Sequence, residues 1–360
     1  MKHLSSISIT QFRNYLSKQF SFSERIIAIC GQNGTGKTNL LDAIYYLCVT
    51  KSYFSKPDAQ SVYTGLQGFR LEGLFENEQT TEKLVCILRE TNRKEFHLND
   101  EPYKKFSSHI GKFPCVFIAP DDIQLITQGS ENRRNFIDTI IAQLEPTYLQ
   151  HLIDYKKVLD ERNSMLKAAA EKNYFDDTLL NIIDSQLVKY GQQIFTVRKS
   201  FLADFISLVS KAYEDIAGKT DDITIIYSSQ LLNNAFHDLL DQNRQRDLYL
   251  QRTGCGIHKD DLEITMEQLP FKNLASQGQR KSLLFALKLA EFAILKEKKG
   301  YPPLLLLDDI FEKLDDQRMN RLLHKVCIEE NGQVFITDTH KQRLEESLNK
   351  LLVPFQLVKI

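Results

Sequence analysis

The sequence predicts an α/β protein in which a phosphate-binding parallel sheet is interrupted by a long helical insertion. Three observations support this fold class. A glycine-rich loop follows a short apolar run near the N-terminus, and four leucines followed by two aspartates lie far along the chain. A stretch with helical periodicity separates these two features. Short apolar runs are typical of buried parallel strands, whereas amphipathic helices place apolar residues three and four positions apart.

The first 120 residues are predicted to form strands around one helix. Polar and apolar residues alternate between Leu4 and Thr10, and Arg25–Cys30 ends in a short apolar run, so both segments favour strands. A helix is expected from about Lys37 to Val49. Turn residues then separate four apolar runs that resemble a β-meander: Phe69–Leu74, Lys83–Leu88, Glu95–Leu98 and Cys115–Ile118.

The region from about Glu131 to Ile216 has helical periodicity. Two segments place apolar residues at steps of three and four, and the second keeps this alternation over three heptads. Two helices of roughly 35 to 40 residues, joined by a polar tip loop between Ala168 and Asp177, would form an antiparallel arm about 50–60 Å long. Pro146 is expected to kink or restart the first helix.

Strands are predicted again after the helical region. They cover Ile223–Tyr227, Leu262–Met266, Leu304–Leu307 and Gln333–Ile336, and a helix is predicted from about Gln277 to Lys296. The last two strands are short apolar runs, which is typical of strands buried on both faces.

Composition excludes several classes of protein. The chain has 360 residues, with 46 basic and 47 acidic side chains and 42% hydrophobic residues, so it is not a polybasic, acidic-tail or disordered protein. No apolar run approaches the length of a membrane span, and the N-terminus lacks a signal-peptide pattern. The six cysteines are scattered without metal-ligand spacing. We therefore expect a cytoplasmic protein with no membrane partner, no zinc and no disulfide.

The glycine-rich loop carries the clearest chemical signal. It matches the pattern G-x-x-x-x-G-K-[S/T] at every defined position, between a predicted strand and a predicted helix. Backbone N–H groups of such a loop surround phosphate oxygens. Lys37 would reach the β- and γ-phosphates and the Thr38 hydroxyl would bind Mg²⁺. The predicted ATP-binding residues of the loop are Gly31, Gln32, Asn33, Gly34, Thr35, Gly36, Lys37 and Thr38.

Two further segments favour a site at one edge of the sheet. The run of leucines ends in Asp308 and Asp309, which a parallel strand would deliver to the edge where ligands bind. Asp308 would hold Mg²⁺, and Asp309 would orient and polarise the attacking water. Ser276 opens a helix 32 positions before Asp308. On the residues alone this is a helix cap, and its position before the acidic strand suggests an anion-binding role.

Together these segments resemble an ABC-type ATPase head. The sequence S-Q-G-Q at 276–279 stands where the family has S-G-G-Q, and E-K-L-D at 312–315 resembles a D-loop. The spacing between Lys37 and Ser276 is 239 positions. Transporter ATPases place about a hundred residues there and SMC proteins place many hundreds. An insertion of intermediate length resembles the RecF family of bacterial recombination mediators.

Further motifs support the resemblance to RecF over nearly the whole chain. They are F-R-N-Y at 12–15, F-I-A-P-D-D-I-Q-L at 117–125 with Arg133 and Arg134, a helical motif at 155–167, and G-I-H-K-D-D at 256–261. The chain departs from the family pattern mildly: Ile257 and Glu131 replace proline, and Lys259 and Lys281 replace arginine, which weakens bidentate contacts.

The resemblance implies an ATP-dependent homodimer whose two heads enclose two nucleotides. Lys37, Thr38 and Asp308 would act within one subunit, with Asp309 as the catalytic acid. Ser276, Gly278 and Gln279 would contact the γ-phosphate of the partner's nucleotide. Arg13 and Asn14 would lie near the adenine or ribose. Asp309 stands where many relatives have glutamate, and the shorter acid predicts slow hydrolysis.

For several residues the sequence leaves two roles open. A switch residue should follow the strand at 333–336, and His340 and Asp338 are the candidates, with a solvated loop end as the alternative. His258 has either a nucleotide-related role or a structural one. Arg133, Arg134 and Lys156 are candidate DNA contacts or solvated helix faces. The arm has balanced charge and no nucleic-acid motif, so DNA binding rests on the resemblance.

The expected domains are the N-terminal half of the head at 1–128, a helical arm at 129–240 and the C-terminal half of the head at 241–360. The resemblance implies a weak, DNA-dependent ATPase that binds single-stranded or gapped DNA and junctions, and supports RecA loading with RecR and RecO in recombinational repair, replication restart and the SOS response. Its cofactors would be ATP and Mg²⁺. A transporter-type ATPase subunit and an SMC-like structural ATPase remain as alternatives.

Overall fold

The computed structural model describes residues 2–55, 57–77, 79–172, 176–218, 221–312 and 315–360. The strands are β1 (His3–Phe12), β2 (Tyr15–Ser21), β3 (Ile26–Cys30), β4 (Phe69–Glu76), β5 (Thr81–Leu88), β6 (Lys94–Leu98), β7 (Glu101–Pro102), β8 (Cys115–Ile118), β9 (Ile223–Ser228), β10 (Asp261–Met266), β11 (Leu269–Pro270), β12 (Leu304–Leu307), β13 (Val334–Asp338) and β14 (Gln356–Lys359). The helices are α1 (Lys37–Val49), α2 (Gln124–Thr127), α3 (Ser130–Leu144), α4 (Pro146–Lys172), α5 (Asp177–Ala217), α6 (Phe236–Leu250), α7 (Phe271–Leu274), α8 (Gln277–Lys299), α9 (Asp316–His324) and α10 (Lys341–Lys350).

The chain divides into two compact units. The first comprises Met1–Ile123, Leu208–Thr220 and Ser276–Ile360, and the second comprises Gln124–Ser207 and Asp221–Ala275. Within the described residues, no helix is both long and apolar enough to cross a membrane.

A parallel sheet positions the site in the first unit. Its strand order is β14-β3-β13-β12-β8, and every neighbouring pair is parallel. Leu307 is in register with Ile118 on one side and Ile336 on the other. The chain therefore leaves β3, β8, β12 and β13 at the same edge of the sheet, which is where ligands bind in such folds.

An antiparallel sheet, ordered β2-β1-β4-β5-β6-β7, forms the other layer of this unit. Helix α1 packs against β1, β4 and β5 of this sheet and against β8 and β13 of the parallel sheet. Its apolar residues are buried on all sides because it lies between two sheets. The first turn of α1 is thereby fixed at the edge where the parallel strands end.

The second unit is mostly helical. Contacts of α4 with α5 pair Arg162 with Asp184 and Tyr148 with Arg198, so the two helices run antiparallel. A small antiparallel sheet, ordered β11-β10-β9, completes the unit. Arg162 is fully buried and bonds to Asp184 and to Asp247, which joins α4, α5 and α6.

The structure confirms most predicted elements and corrects several. The strand at Cys115–Ile118 lies in the parallel sheet, because it is buried on both faces, and is not part of the meander. The first helix of the expected arm is split at Pro146 into α3 and α4. Helices α4 and α5 have 27 and 41 residues rather than two similar lengths. Residues 173–175 of the expected tip loop lie outside the described residues. The elements that were not predicted are strands β2, β7, β11 and β14 and helices α2, α6, α7, α9 and α10.

The two units do not coincide with the expected boundaries at 128/129 and 240/241. Residues 221–275 group with the helices, and Leu208–Thr220 groups with the sheets. Buried ion pairs explain the first difference, because Arg162 bonds to Asp247 and Arg198 bonds to Asp260. Such long-range pairs leave no local signal in the sequence.

Candidate active site

The glycine-rich loop joins β3 to α1 and folds around the Lys37 side chain. The Lys37 ammonium donates to the carbonyl oxygens of Gly31 and Gln32, at 2.9 and 3.2 Å. Gly36 has a φ of 117°, which disfavours any other residue. The backbone N–H groups of the first turn of α1 and the charge of Lys37 make this loop an anion-binding site.

Asn14 supports the loop from the β1–β2 turn. Its side-chain amide donates to the Thr35 carbonyl at 3.0 Å and accepts from Asn39 at 2.8 Å. A Cβ on Gly36 would approach the Asn14 amide to 2.8 Å, so the glycine also provides room for this contact. Asn14 therefore holds the loop in shape.

Arg13 is fixed in place by acceptors of its own subunit. Its guanidinium forms an ion pair with the buried Asp42 at 3.0 Å and also donates to Ser52 and Ser55. An open pocket beside the loop is lined by both predicted residues, and its lining is Arg13, Asn14, Asn39, Gln60, Val62, Tyr63 and Thr64. The two residues expected near the adenine or ribose thus line one pocket.

The second half of the site comes from β12. The Thr38 hydroxyl donates to the Asp308 carboxylate, with oxygen–oxygen distances of 2.9 and 3.0 Å. The Thr337 hydroxyl donates to the same carboxylate at 2.9 Å. Burial raises the pKa of Asp308 to about 6, and the two hydroxyl donors partly oppose this shift. The fold thus brings together Thr38 and Asp308, which are 270 residues apart.

Asp309 adopts a left-handed backbone conformation, with φ of 44°. Its backbone N–H donates to the Thr337 hydroxyl at 2.9 Å. Aspartate tolerates this conformation better than most residues do. Thr337 therefore contacts both carboxylate residues of the predicted site. Sequence reasoning missed it: the sequence shows only that Thr337 follows a predicted strand, and the pairing of this strand with β12 exists only in the fold.

The chemistry of these side chains fits a magnesium ion. Mg²⁺ binds through one or two protein oxygens together with substrate phosphate and water. Thr38 and Asp308 supply one hydroxyl and one carboxylate beside the phosphate-binding loop. The described part of the chain contains no cluster of three or more histidine, cysteine, aspartate or glutamate side chains suited to a metal. The donor set therefore matches a cation shared with a phosphate ligand.

Ser276 caps helix α8 with a reciprocal pair of hydrogen bonds. Its hydroxyl accepts from the Gln279 N–H at 3.2 Å, and the Gln279 side chain accepts from the Ser276 N–H at 2.9 Å. This capping box fixes the helix start that the sequence predicted. Ser276 is exposed, so its surroundings remain accessible to a partner. Of the expected D-loop, Lys313 and Leu314 lie outside the described residues, and Asp315 caps α9.

The two switch candidates have different environments. Asp338 is buried at the end of β13 and is bonded by the Arg343 guanidinium at 2.6 and 2.8 Å. His340 is exposed and precedes α10. Neither has a hydrogen bond to Asp308 in the described structure, whereas Thr337 of the same strand has one.

Three of the four candidates in the second unit have structural partners. Arg133 forms two hydrogen bonds with Asp261, and Arg134 donates to the Asp260 carbonyl. His258 is bonded through its ring nitrogens to Tyr155 and to the Thr253 carbonyl. Burial lowers the pKa of His258 to about 4, so its ring is neutral near pH 7. Lys156 is exposed on α4.

The fold and the site together define an ABC-type ATPase head whose two sequence halves are separated by a helical insertion. Residues 3–357 match the model of the RecF/RecN/SMC N terminal domain. A DNA replication and repair protein RecF from Flavobacterium johnsoniae is 42% identical over 95% of this chain and 96% of its own length. One from Parabacteroides distasonis is 38% identical over 99% and 97%. The chain belongs to the RecF family.

Solved structures agree with this assignment. "Structure of the recombination mediator protein RecF-ATPrS in RecFOR pathway" aligns with a TM-score of 0.89 and 30% identity, covering 100% of this chain and 96% of that one. An Smc head domain with an extended coiled coil from Pyrococcus furiosus aligns with a TM-score of 0.56 and 16% identity, covering 96% and 92%. The second likeness concerns the fold alone.

Proposed function

We propose that this chain is an ATP-dependent DNA-binding protein of recombinational repair and replication restart. The observation that carries the proposal is the meeting of Thr38 and Asp308, 2.9 Å apart, beside a loop that encloses Lys37. The names of the relatives support it, because they describe DNA replication and repair proteins and a RecF structure with ATP.

Within one subunit, the residues of the loop bind the phosphates of ATP. Lys37 turns its ammonium from the loop carbonyls to the β- and γ-phosphates, and the backbone N–H groups of 34–38 donate to them. Thr38 and Asp308 would hold Mg²⁺, whose charge would offset the negative charge that develops on the phosphates. Arg13 and Asn14 line the side of the pocket that receives the base or ribose.

A second subunit completes the site. Ser276, Gly278 and Gln279 contact the γ-phosphate of the partner's ATP, so that ATP binding closes a homodimer. Asp309 orients the water that attacks the γ-phosphate. Its short side chain predicts slow hydrolysis, and DNA stimulates this reaction. Asp338 and His340 are the candidate γ-phosphate sensors, with Thr337 as the residue of this strand that contacts Asp308.

The closed dimer binds single-stranded or gapped DNA and duplex junctions in the cytoplasm. Hydrolysis opens the dimer and leaves the DNA chemically unchanged. RecR, with RecO, is the proposed partner in loading RecA, and this step places the protein in the SOS response. The support for these partners is membership of the family and the RecFOR pathway named for a solved relative.

Gel filtration with and without ATP and Mg²⁺ tests the nucleotide part of the proposal. We expect a dimer with ATP for the wild type, and monomers for Lys37→Met and Ser276→Arg. Lys37→Met should lose ATP binding, whereas Ser276→Arg should bind ATP and fail to dimerise. If Ser276→Arg dimerised at the same ATP concentration as the wild type, the proposal that two subunits together form each ATP site would be contradicted.

Binding to gapped, single-stranded and blunt duplex DNA tests the second part. We expect affinity that requires ATP, favours the gapped substrate and falls steeply with salt, because phosphate contacts release counterions. Affinity that is independent of both ATP and salt would contradict a DNA clamp without affecting the assignment of the ATP site.

A further inference from the structure

The guanidinium of Arg318 lies directly against Gly278 at the start of α8. A Cβ built on Gly278 would approach Nη1 of Arg318 to 2.6 Å and its central carbon to 3.4 Å. Gly278 lies in the first turn of a regular helix and has no left-handed φ. Its lack of a side chain therefore makes room for Arg318 and does not serve an unusual backbone conformation.

Arg318 also holds the residue that caps the next helix. Its Nη1 atom donates to Asp315 at 2.7 Å, while its backbone N–H donates to the other oxygen of this carboxylate at 3.0 Å. The Arg318 side chain is 21% exposed and that of Asp315 is 53% exposed. The Nη1 end of one guanidinium thus lies beside Gly278 and is bonded to Asp315.

We propose that Arg318 is a positioning residue that fixes Gly278 and Asp315 relative to each other, so that the loop at 276–279 and the Asp315 carboxylate face the partner's nucleotide together. The proposal rests on the proposed function, in which the loop at 276–279 acts on the other subunit's ATP. Arg318 therefore acts in trans: it serves the nucleotide bound by the partner and not the nucleotide of its own loop.

The chemistry of arginine suits this role. A planar guanidinium has several N–H donors in a fixed arrangement, so it can lie beside Gly278 and hold the Asp315 carboxylate at the same time, whereas a lysine ammonium is a single point charge on a flexible stem. Helix α9 keeps its cap when the side chain is removed, because the cap bond comes from the Arg318 backbone. Arg318→Ala and Arg318→Lys should therefore fold, and both should lose the positioning effect, the lysine variant less severely.

The first test measures dimerisation and turnover of Arg318→Ala with ATP. We expect the monomer to bind ATP as the wild type does and the dimer to form about tenfold more weakly, since small misplacements of a binding group have effects of this size or larger. Arg321→Ala is the matched control, because Arg321 lies on the same helix and donates to the Ile216 carbonyl instead. Wild-type dimerisation by Arg318→Ala would overturn the proposal.

Mixing variants tests the action in trans. A heterodimer of Lys37→Ala and Arg318→Ala has one complete site, formed by the intact loop of one subunit and the intact Arg318 of the other. ATP turnover of the mixture should exceed the sum of the turnovers of the two variants measured separately. A mixture of Lys37→Ala with Ser276→Arg is the positive control and should show the same gain. Recovery in the Ser276→Arg mixture without recovery in the Arg318→Ala mixture would show action in cis and overturn the proposal.

A double-mutant cycle tests the contact itself. Gly278→Ala should weaken dimerisation in the wild-type background, because its methyl group displaces the guanidinium. The same change should add little in the Arg318→Ala background, where the space is empty. Equal effects in both backgrounds would mean that Gly278 serves the nucleotide alone.

Failure of the proposed function would look different from failure of the Arg318 proposal. In the first case the wild-type protein would not dimerise with ATP, whereas in the second the wild type would dimerise and Arg318→Ala would dimerise equally well.

Discussion

One cluster of buried carboxylates in the helical unit and one buried carboxylate in the sheet unit balance their charge in different ways. In the helical unit, the fully buried Arg162 bonds to Asp184 at 2.6 Å and to Asp247 at 2.7 Å. In the sheet unit, the buried Asp308 has two hydroxyl donors, Thr38 and Thr337, and no ion pair within the described structure. Burial favours the neutral form of an acid, and a nearby cation opposes this.

This difference indicates that the Arg162 cluster stabilises the fold, whereas Asp308 is available to bind a ligand. Burial alone would lower the pKa of Arg162, but the bonds and charges of Asp184 and Asp247 raise it above its usual value, so the charges are held permanently. The pKa of Asp308 is instead raised to about 6. A buried carboxylate without an ion pair is suited to bind a cation brought by the substrate. Replacing Arg162 should therefore destabilise the fold, whereas replacing Asp308 should stabilise it.

The largest effect on stability is expected for Arg162→Met. The change leaves two carboxylates in the helical unit without their buried cation, which costs about 3–5 kcal/mol. Urea and thermal unfolding should show this loss. Arg70→Met is the matched control: Arg70 is exposed and pairs with Glu72, so its replacement should cost less than about 1 kcal/mol. Equal losses for the two variants would contradict the comparison.

Asp308→Asn should have the opposite pattern. Removing a carboxylate whose pKa is raised stabilises the folded chain by about 3 kcal/mol at pH 7. Turnover with ATP and Mg²⁺ should fall about 100-fold, because the proposed metal ligand loses its charge. Denaturation and phosphate release measure the two effects. A destabilised Asp308→Asn variant would mean that Asp308 is compensated as Asp184 is.

The pH dependence sharpens this contrast. Between its ordinary value of 3.8 and about 6, Asp308 binds a proton in the folded state and not in the unfolded state. Its contribution therefore lowers the free energy of unfolding as the pH rises through this window. Asp308→Asn removes the contribution, so the difference in stability between variant and wild type should grow from pH 4 to pH 6 and then stay constant. A difference that is flat from pH 4 to pH 7 would contradict the raised pKa.

The sequence predicts those parts of the site that lie within short continuous motifs. The loop 31–38, the acids after β12 and the cap at Ser276 all lie in short motifs, and the structure places the first two together. It could not predict Thr337, since β13 and β12 are neighbours only in the folded sheet. Nor could it show that Arg318 covers Gly278, or that Arg162 joins Asp247 to the helices, because tertiary packing creates those contacts.

A smaller effect is expected for Asp309→Asn, on turnover alone. Asparagine tolerates the left-handed conformation of this residue, so the fold and ATP-dependent dimerisation should be retained. Hydrolysis should fall about tenfold because the amide polarises water less than the carboxylate does. Wild-type turnover itself should lie below about 10 per second, the median for enzymes. Unchanged phosphate release by Asp309→Asn would remove Asp309 from the catalytic residues.

The smallest effect on turnover is expected for Thr337→Val, because this substitution changes no charge. The variant loses the hydrogen bonds to the Asp308 carboxylate and from the Asp309 N–H, at a cost of about 1–2 kcal/mol. Because a donor to the charged form is removed, the pKa of Asp308 should rise further, and the pH midpoint for Mg²⁺-dependent turnover should move upward by less than about one unit. Thr337→Ser retains the hydroxyl and should keep the wild-type midpoint. Equal midpoints for Thr337→Val and Thr337→Ser would show that burial alone sets the pKa of Asp308.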